Sequence, residues 1–123
     1  MKTNFLTLLL IYSFVLCTAQ ITEVKKDGNY AKIYDDKGKY TGHSIYLGSN
    51  NNISGYNAHY VVITEGNYAK IYLENGNYSG KSIYLGSSNF VKNVSNSAIL
   101  VKEGHYVKYY DFNGHYTGAS TYE

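Results

Sequence analysis

The chain has 123 residues, with 11 lysines against nine acids and a formal net charge of +2; it holds 16 tyrosines, 12 glycines and one cysteine, but no proline or tryptophan. This length makes one domain. The absence of arginine and the scatter of the lysines exclude the concentrated basic face of a nucleic-acid binder.

Residues 1–19 read as an export signal rather than as part of a fold. Lys2 supplies the positive start, Phe5 to Leu16 is apolar apart from Thr7, Tyr12 and Ser13, and Cys17-Thr18-Ala19 ends with small residues. The apolar run is short for a bilayer span of about 20 residues. Cleavage is therefore expected after Ala19, leaving a secreted chain, 20–123, with no membrane segment. Cys17 lies in the removed part. The mature chain then has no disulfide, and its stability must come from packing and backbone pairing. Ten lysines against nine acids leave it nearly neutral.

From residue 22 onward the pattern is that of strands. Thr22 to Lys26 reads as the first. Tyr30 to Tyr34 alternates strictly, with Tyr30, Lys32 and Tyr34 on one face and Ala31 and Ile33 on the other. Residues 35–39 read as a turn, and the equivalent positions carry Asn75-Gly76 and Asn113-Gly114, a hairpin signal. His43 to Leu47 is a further strand, with Ile45 and Leu47 opposite Ser44 and Tyr46. Residues 48–58, rich in asparagine, read as a loop with room for one short irregular strand. Tyr60 to Thr64 follows as a strand and leads into a second copy of the same order. Eight to eleven strands are expected, and no amphipathic helix.

The copies define the organisation. Residues 28–48 and 66–86 are identical at 15 of 21 positions, 38 residues apart, and a looser third copy begins at Gly104. The repeats are thus 28–65, 66–103 and a partial 104–123. One supersecondary unit used repeatedly argues for stacked or paired β-units. It argues against an enzyme, because a repeat spreads the same side chains over equivalent places whereas catalysis needs one asymmetric constellation.

The candidate functional residues follow from this. Tyr30, Tyr34 and Tyr46 return as Tyr68, Tyr72 and Tyr84, and as Tyr106, Tyr110 and Tyr122. With the aliphatic faces inward, Tyr30, Tyr46, Tyr68, Tyr84, Tyr106 and Tyr122 form a ladder on the outer surface. Exposed aromatic rows stack on sugar rings or anchor protein contacts, so a surface glycan or protein is the expected partner. The tyrosines before the turns, Tyr34, Tyr72 and Tyr110, read instead as cross-strand pairs that stabilise the sheet. His43, His59, His105 and His115 exchange with other residues between copies, as exposed positions do, and do not form a metal site.

The aromatic, turn, aromatic, any residue, glycine order of Tyr34-Tyr40-Gly42, Tyr72-Tyr78-Gly80 and Tyr110-Tyr116-Gly118 resembles the microbial Greek-key motif of the βγ-crystallin superfamily. Asn93, Ser97, Val101, Gly104 and Tyr110 resemble its upstream run. Five residues separate the aromatics here, where that family has four. The resemblance implies an antiparallel Greek-key β-sandwich over about 21–103 with the hairpin 104–123 left over; a β-trefoil and a β-hairpin solenoid are the alternatives. It also raises calcium as a cofactor. Asn93 and Ser97 occupy ligand places of that family, whereas Val94 and Ala98 do not, and Gly55 and His59 stand there in the first copy. Calcium prefers six to eight oxygens with carboxylates among them. At most weak binding is implied.

Overall fold

The computed structural model describes residues 20–123, and the expected signal segment lies outside them. Among the described residues there are eleven strands and no helix. The first sheet holds β1 (Glu23–Asp27), β2 (Tyr30–Tyr34) and β3 (Tyr40–Tyr46). The second holds β4 (Asn52–Tyr56), β5 (Tyr60–Glu65), β6 (Tyr68–Leu73) and β7 (Tyr78–Tyr84). The third holds β8 (Phe90–Val94), β9 (Ile99–Glu103), β10 (Tyr106–Tyr110) and β11 (Tyr116–Tyr122). Strands β2, β6 and β10 begin 38 residues apart, as do β3, β7 and β11.

All pairing is antiparallel, and each sheet runs in chain order. A Greek key needs a strand that returns by a long connection to lie beside the first. None of the three sheets contains one, so each is a meander. The tight hairpins have a local cause. Gly28 and Gly66 open two-residue turns with φ of 61° and 60°, and among the described residues only glycines have positive φ. That is a type II′ geometry, whose twist matches the strands it joins.

The second turn of each repeat is longer, and in the first and third it is built on an aspartate acceptor, while in the second, with Leu73 there, Asn75 Oδ1 accepts the Asn77 N–H. Asp35 Oδ1 accepts the N–H groups of Lys37 and Lys39, and Asp111 Oδ1 those of Asn113 and His115. These bonds hold both carboxyls below the usual range, the bond from Lys39 leading for Asp35 and that from His115 for Asp111. Beyond this turn the register shifts by a bulge in all three hairpins. A hydroxyl satisfies the carbonyl it disturbs: Thr41 donates to the Ile33 oxygen, Ser79 to that of Ile71 and Thr117 to that of Tyr109.

The asparagine-rich loops 48–58 and 86–96 hold the short irregular strand for which the sequence left room, bulged in both copies. Each contains a paired edge strand, β4 or β8. Ile53 and Tyr56 in β4, and Phe90, Val91 and Val94 in β8, favour strands, and pairing with β5 and β9 carries the asparagine, serine and glycine between and beside them into the sheet.

The sheets pack face to face in a row. Ala31, Ile33, Ile45 and Leu47 of the first sheet cover Val61 and Ile63 of β5. Ala69, Ile71, Ile83 and Leu85 of the second cover Ile99 and Val101 of β9, with Val62 in the same cluster. Val61, Val62 and Ile63 are successive and each fully buried, because β5 has a sheet against both faces. Burial of one such side chain contributes about 1.5–3 kcal/mol. Each neighbouring pair of sheets is thus a sandwich, and the central sheet belongs to both. The two clusters meet only through that sheet, an open stack rather than a closed three-fold trefoil.

The ends of the stack are written in the repeat. Where Val61 and Ile63 or Ile99 and Val101 meet a preceding sheet, the first sheet has exposed Glu23 and Lys25. Where Ile83 and Leu85 meet a following sheet, the third has exposed Thr121 and Glu123. Glu123 takes salt bridges from Lys92 and from Lys102, the latter at 3.0 Å, and the Lys92 bond leads in holding its carboxyl below the usual range. Polar terminal faces of this kind keep a stack of repeats from continuing.

Candidate binding surface

Each hairpin that packs its aliphatic face on the next sheet turns its other face outward. The first two hairpins pack on the following sheet with the same side, and in the second and third sheets the tyrosine side is the one on which Val61 and Ile63, or Ile99 and Val101, meet the preceding sheet, so the three tyrosine faces are equivalent along the stack. Their residues lie in three cross-strand rows. In β2–β3 the rows are Tyr30 opposite Tyr46, Lys32 opposite Ser44, and Tyr34 opposite Tyr40. In β6–β7 they are Tyr68 with Tyr84, Lys70 with Ser82, and Tyr72 with Tyr78. In β10–β11 they are Tyr106 with Tyr122, Lys108 with Ser120, and Tyr110 with Tyr116.

The first row holds all six tyrosines of the expected ladder. Tyr30 and Tyr46 meet edge to face with centroids 5.3 Å apart, Tyr68 and Tyr84 at 5.2 Å, and Tyr106 and Tyr122 at 5.5 Å. Edge-to-face contact uses the ring quadrupole and contributes about 0.5–1.5 kcal/mol beyond area. The second ring of each pair is the most open: Tyr46, Tyr84 and Tyr122 are 62, 65 and 73% exposed. The ladder is therefore three equivalent dyads, one per sheet.

The third row behaves differently. Tyr34, Tyr72 and Tyr110 are half-buried, each tilted against its partner at 5.4–5.9 Å. Tyr72 donates its hydroxyl to Glu65 at 2.5 Å and Tyr110 to Glu103 at 2.7 Å. Burial first, then these bonds, raise both phenols, that of Tyr110 to about 12.

The middle row was not legible as part of a site. Lys32 bridges Asp27 at 2.7 Å, and Lys70 and Lys108 bridge Glu65 and Glu103 at 3.2 Å. Each ammonium also lies 5.2–5.3 Å from the ring centre of Tyr40, Tyr78 or Tyr116. The acid and the lysine are five residues apart across the tight turn in every repeat. That spacing is the signal in the sequence that points to the pairing. Asp27 acts first through its hydrogen bond in raising the pKa of Lys32.

The calcium residues are placed otherwise. Asn93 lies on β8, where its Oδ1 accepts the Val94 N–H, and Ser97 lies in the turn before β9, its N–H on Ser95 Oγ. Neither their loop, 86–98, nor the equivalent loop, 48–58, contains an acid. The donors fit calcium poorly. Among the described residues no group of three or more histidine, cysteine, aspartate or glutamate side chains converges on a metal position. A shallow open cleft of about 470 Å³ lies between the first two sheets, lined by Tyr40, His43, Glu74 and Asn75 among others.

Comparison with protein-family models, with curated proteins and with solved structures finds no match.

Proposed function

We propose that this chain is a secreted, non-catalytic binding protein whose three tyrosine dyads are equivalent contacts for a surface glycan or protein. The observation that carries this is the recurrence of one open dyad per sheet, all facing the same way. A ring left largely in water forgoes burial, so three such pairs at equivalent places call for a reason beyond folding. Repetition of the contact also suits multivalent attachment. The acids on these faces, Asp27, Glu65 and Glu103, are each bridged to a lysine, and the last two also accept a tyrosine hydroxyl, which supports binding over catalysis there.

The test is co-sedimentation with insoluble cell-wall and glycan preparations. The chain with Tyr46→Ala, Tyr84→Ala and Tyr122→Ala together is expected to remain in solution while the unaltered chain pellets. Equal pelleting would remove the dyads from the function. Export is tested separately by N-terminal sequencing of secreted material, which is expected to begin at Gln20.

A second part of the proposal concerns kinship. The recurring pairs Tyr34 with Tyr40, Tyr72 with Tyr78 and Tyr110 with Tyr116, each followed by a glycine of positive φ at 42, 80 or 118, support a relation to βγ-crystallin hairpins. It concerns the hairpin unit, since the sheets run in chain order. Any calcium binding in such a chain would be weak, for want of carboxylates.

A further inference from the structure

The charge state of the outward faces narrows the ligand. Every lysine in the middle row is spent: Lys32 on Asp27, Lys70 on Glu65, Lys108 on Glu103, and each also against a tyrosine ring. What a ligand meets on each tread is therefore a net-neutral strip. It has an open ring pair at one end, a second ring pair at the other, and a hydroxyl, Ser44, Ser82 or Ser120, beside the paired lysine. Rows two residues apart on a strand stand about 6.6–6.8 Å apart. An anionic polymer would have to strip the lysines from their acids before it gained anything. A neutral polyhydroxylated chain loses nothing, since pyranose faces stack on open rings and hydroxyl groups can bond to tyrosine and serine oxygens.

We infer that the three treads together bind a neutral polysaccharide, each dyad taking one segment of the same chain. This rests on the proposal that the dyads are the contact surface and adds the ligand class and the mode. A repeating receptor matches a repeating ligand, and linking three weak contacts raises affinity by avidity, about 10²–10⁴ over one. Salt is nearly without effect on such binding, because no ion pair is exchanged.

The experiment is affinity electrophoresis and calorimetry of the full chain with two neutral polymers, hydroxyethyl cellulose and galactomannan, and two anionic ones, alginate and heparin. Each is run from low salt to about 1 M, where charges are screened within roughly 3 Å. The inference expects binding to at least one neutral polymer that persists at high salt. Tyr46→Ala, Tyr84→Ala or Tyr122→Ala alone is expected to weaken it about tenfold, equivalent to about 1.4 kcal/mol. The triple variant is expected to abolish it while retaining the circular dichroism of the parent. Binding to alginate or heparin alone, lost at high salt but still dependent on the tyrosines, would overturn the neutral-ligand inference and leave the dyads as the contact surface. Binding unchanged in the triple variant, or no binding to any of the four, would overturn the inference. In the first of these cases the reading of the dyads falls with it.

Discussion

A Cβ placed on Gly76 would stand 2.8 Å from the backbone oxygen of Ser44, so the turn of the second sheet rests directly on strand β3 of the first. The same relation recurs one repeat on, with Gly114 and the Ser82 oxygen at 2.5 Å. Gly38, the equivalent position in the first repeat, meets nothing within 4 Å, because among the described residues no sheet precedes it.

This gives a comparison of three chemically identical substitutions. All three glycines have positive φ, at 73°, 86° and 84° in chain order. Alanine at any of them costs about 1–2 kcal/mol for the left-handed backbone alone. Gly76→Ala and Gly114→Ala are expected to cost more than Gly38→Ala, since a backbone oxygen must also give way. Denaturant midpoints of the three variants check this; equal losses would mean that the sheets are not stacked in this way.

The buried phenols set an alkaline limit. Tyr110 titrates higher in the folded chain, at about 12, than the value of about 10 in an unfolded one. The folded state thus favours the protonated phenol. Its contribution is complete below about pH 10 and is lost as pH rises through about 12. Phenolate absorbance is expected to show Tyr72 and Tyr110 titrating late, well above the ordinary phenol value. Tyr110→Phe is expected to remove one late-titrating group and to cost about 0.5–1.5 kcal/mol for the half-exposed hydrogen bond to Glu103.

The polar ends of the stack are expected to prevent polymerisation. Replacing Glu23→Val and Lys25→Ile at one end, and Thr121→Ile and Glu123→Leu at the other, restores the side chains found at internal junctions. Two complementary, non-identical faces then meet head to tail, an arrangement that does not close on itself. Sedimentation should show concentration-dependent growth of the fourfold variant. A variant that stays monomeric would mean that Glu23 and Glu123 do not act as terminators.

Calcium is expected to change stability little. Ligand equal to Kd stabilises by only about 0.4 kcal/mol, which is roughly 2–3 °C in Tm for a domain of this size. A rise of many degrees in millimolar calcium would show that carboxylates outside the two asparagine-rich loops join the site.

The residues by themselves determined the local layer of this protein. The strict alternation of Tyr30, Lys32 and Tyr34 with Ala31 and Ile33 assigns the faces, because successive side chains in a strand point oppositely. The 38-residue return of the same letters carries that assignment through every hairpin, and the structure keeps it. The open rings of Tyr46, Tyr84 and Tyr122 were legible for the same reason. Tertiary structure alone decided what covers each face. Nothing local marks Val62 as lying against a third sheet while Val61 and Ile63 lie against a first. A pattern records that a face is apolar, not which distant segment buries it. Edge strands β4 and β8 are short runs inside asparagine-, serine- and glycine-rich stretches, and pairing with β5 and β9 sets their extent. The neutral character of the outward faces likewise needed the fold, since only the tight turn brings Asp27, Glu65 and Glu103 onto Lys32, Lys70 and Lys108.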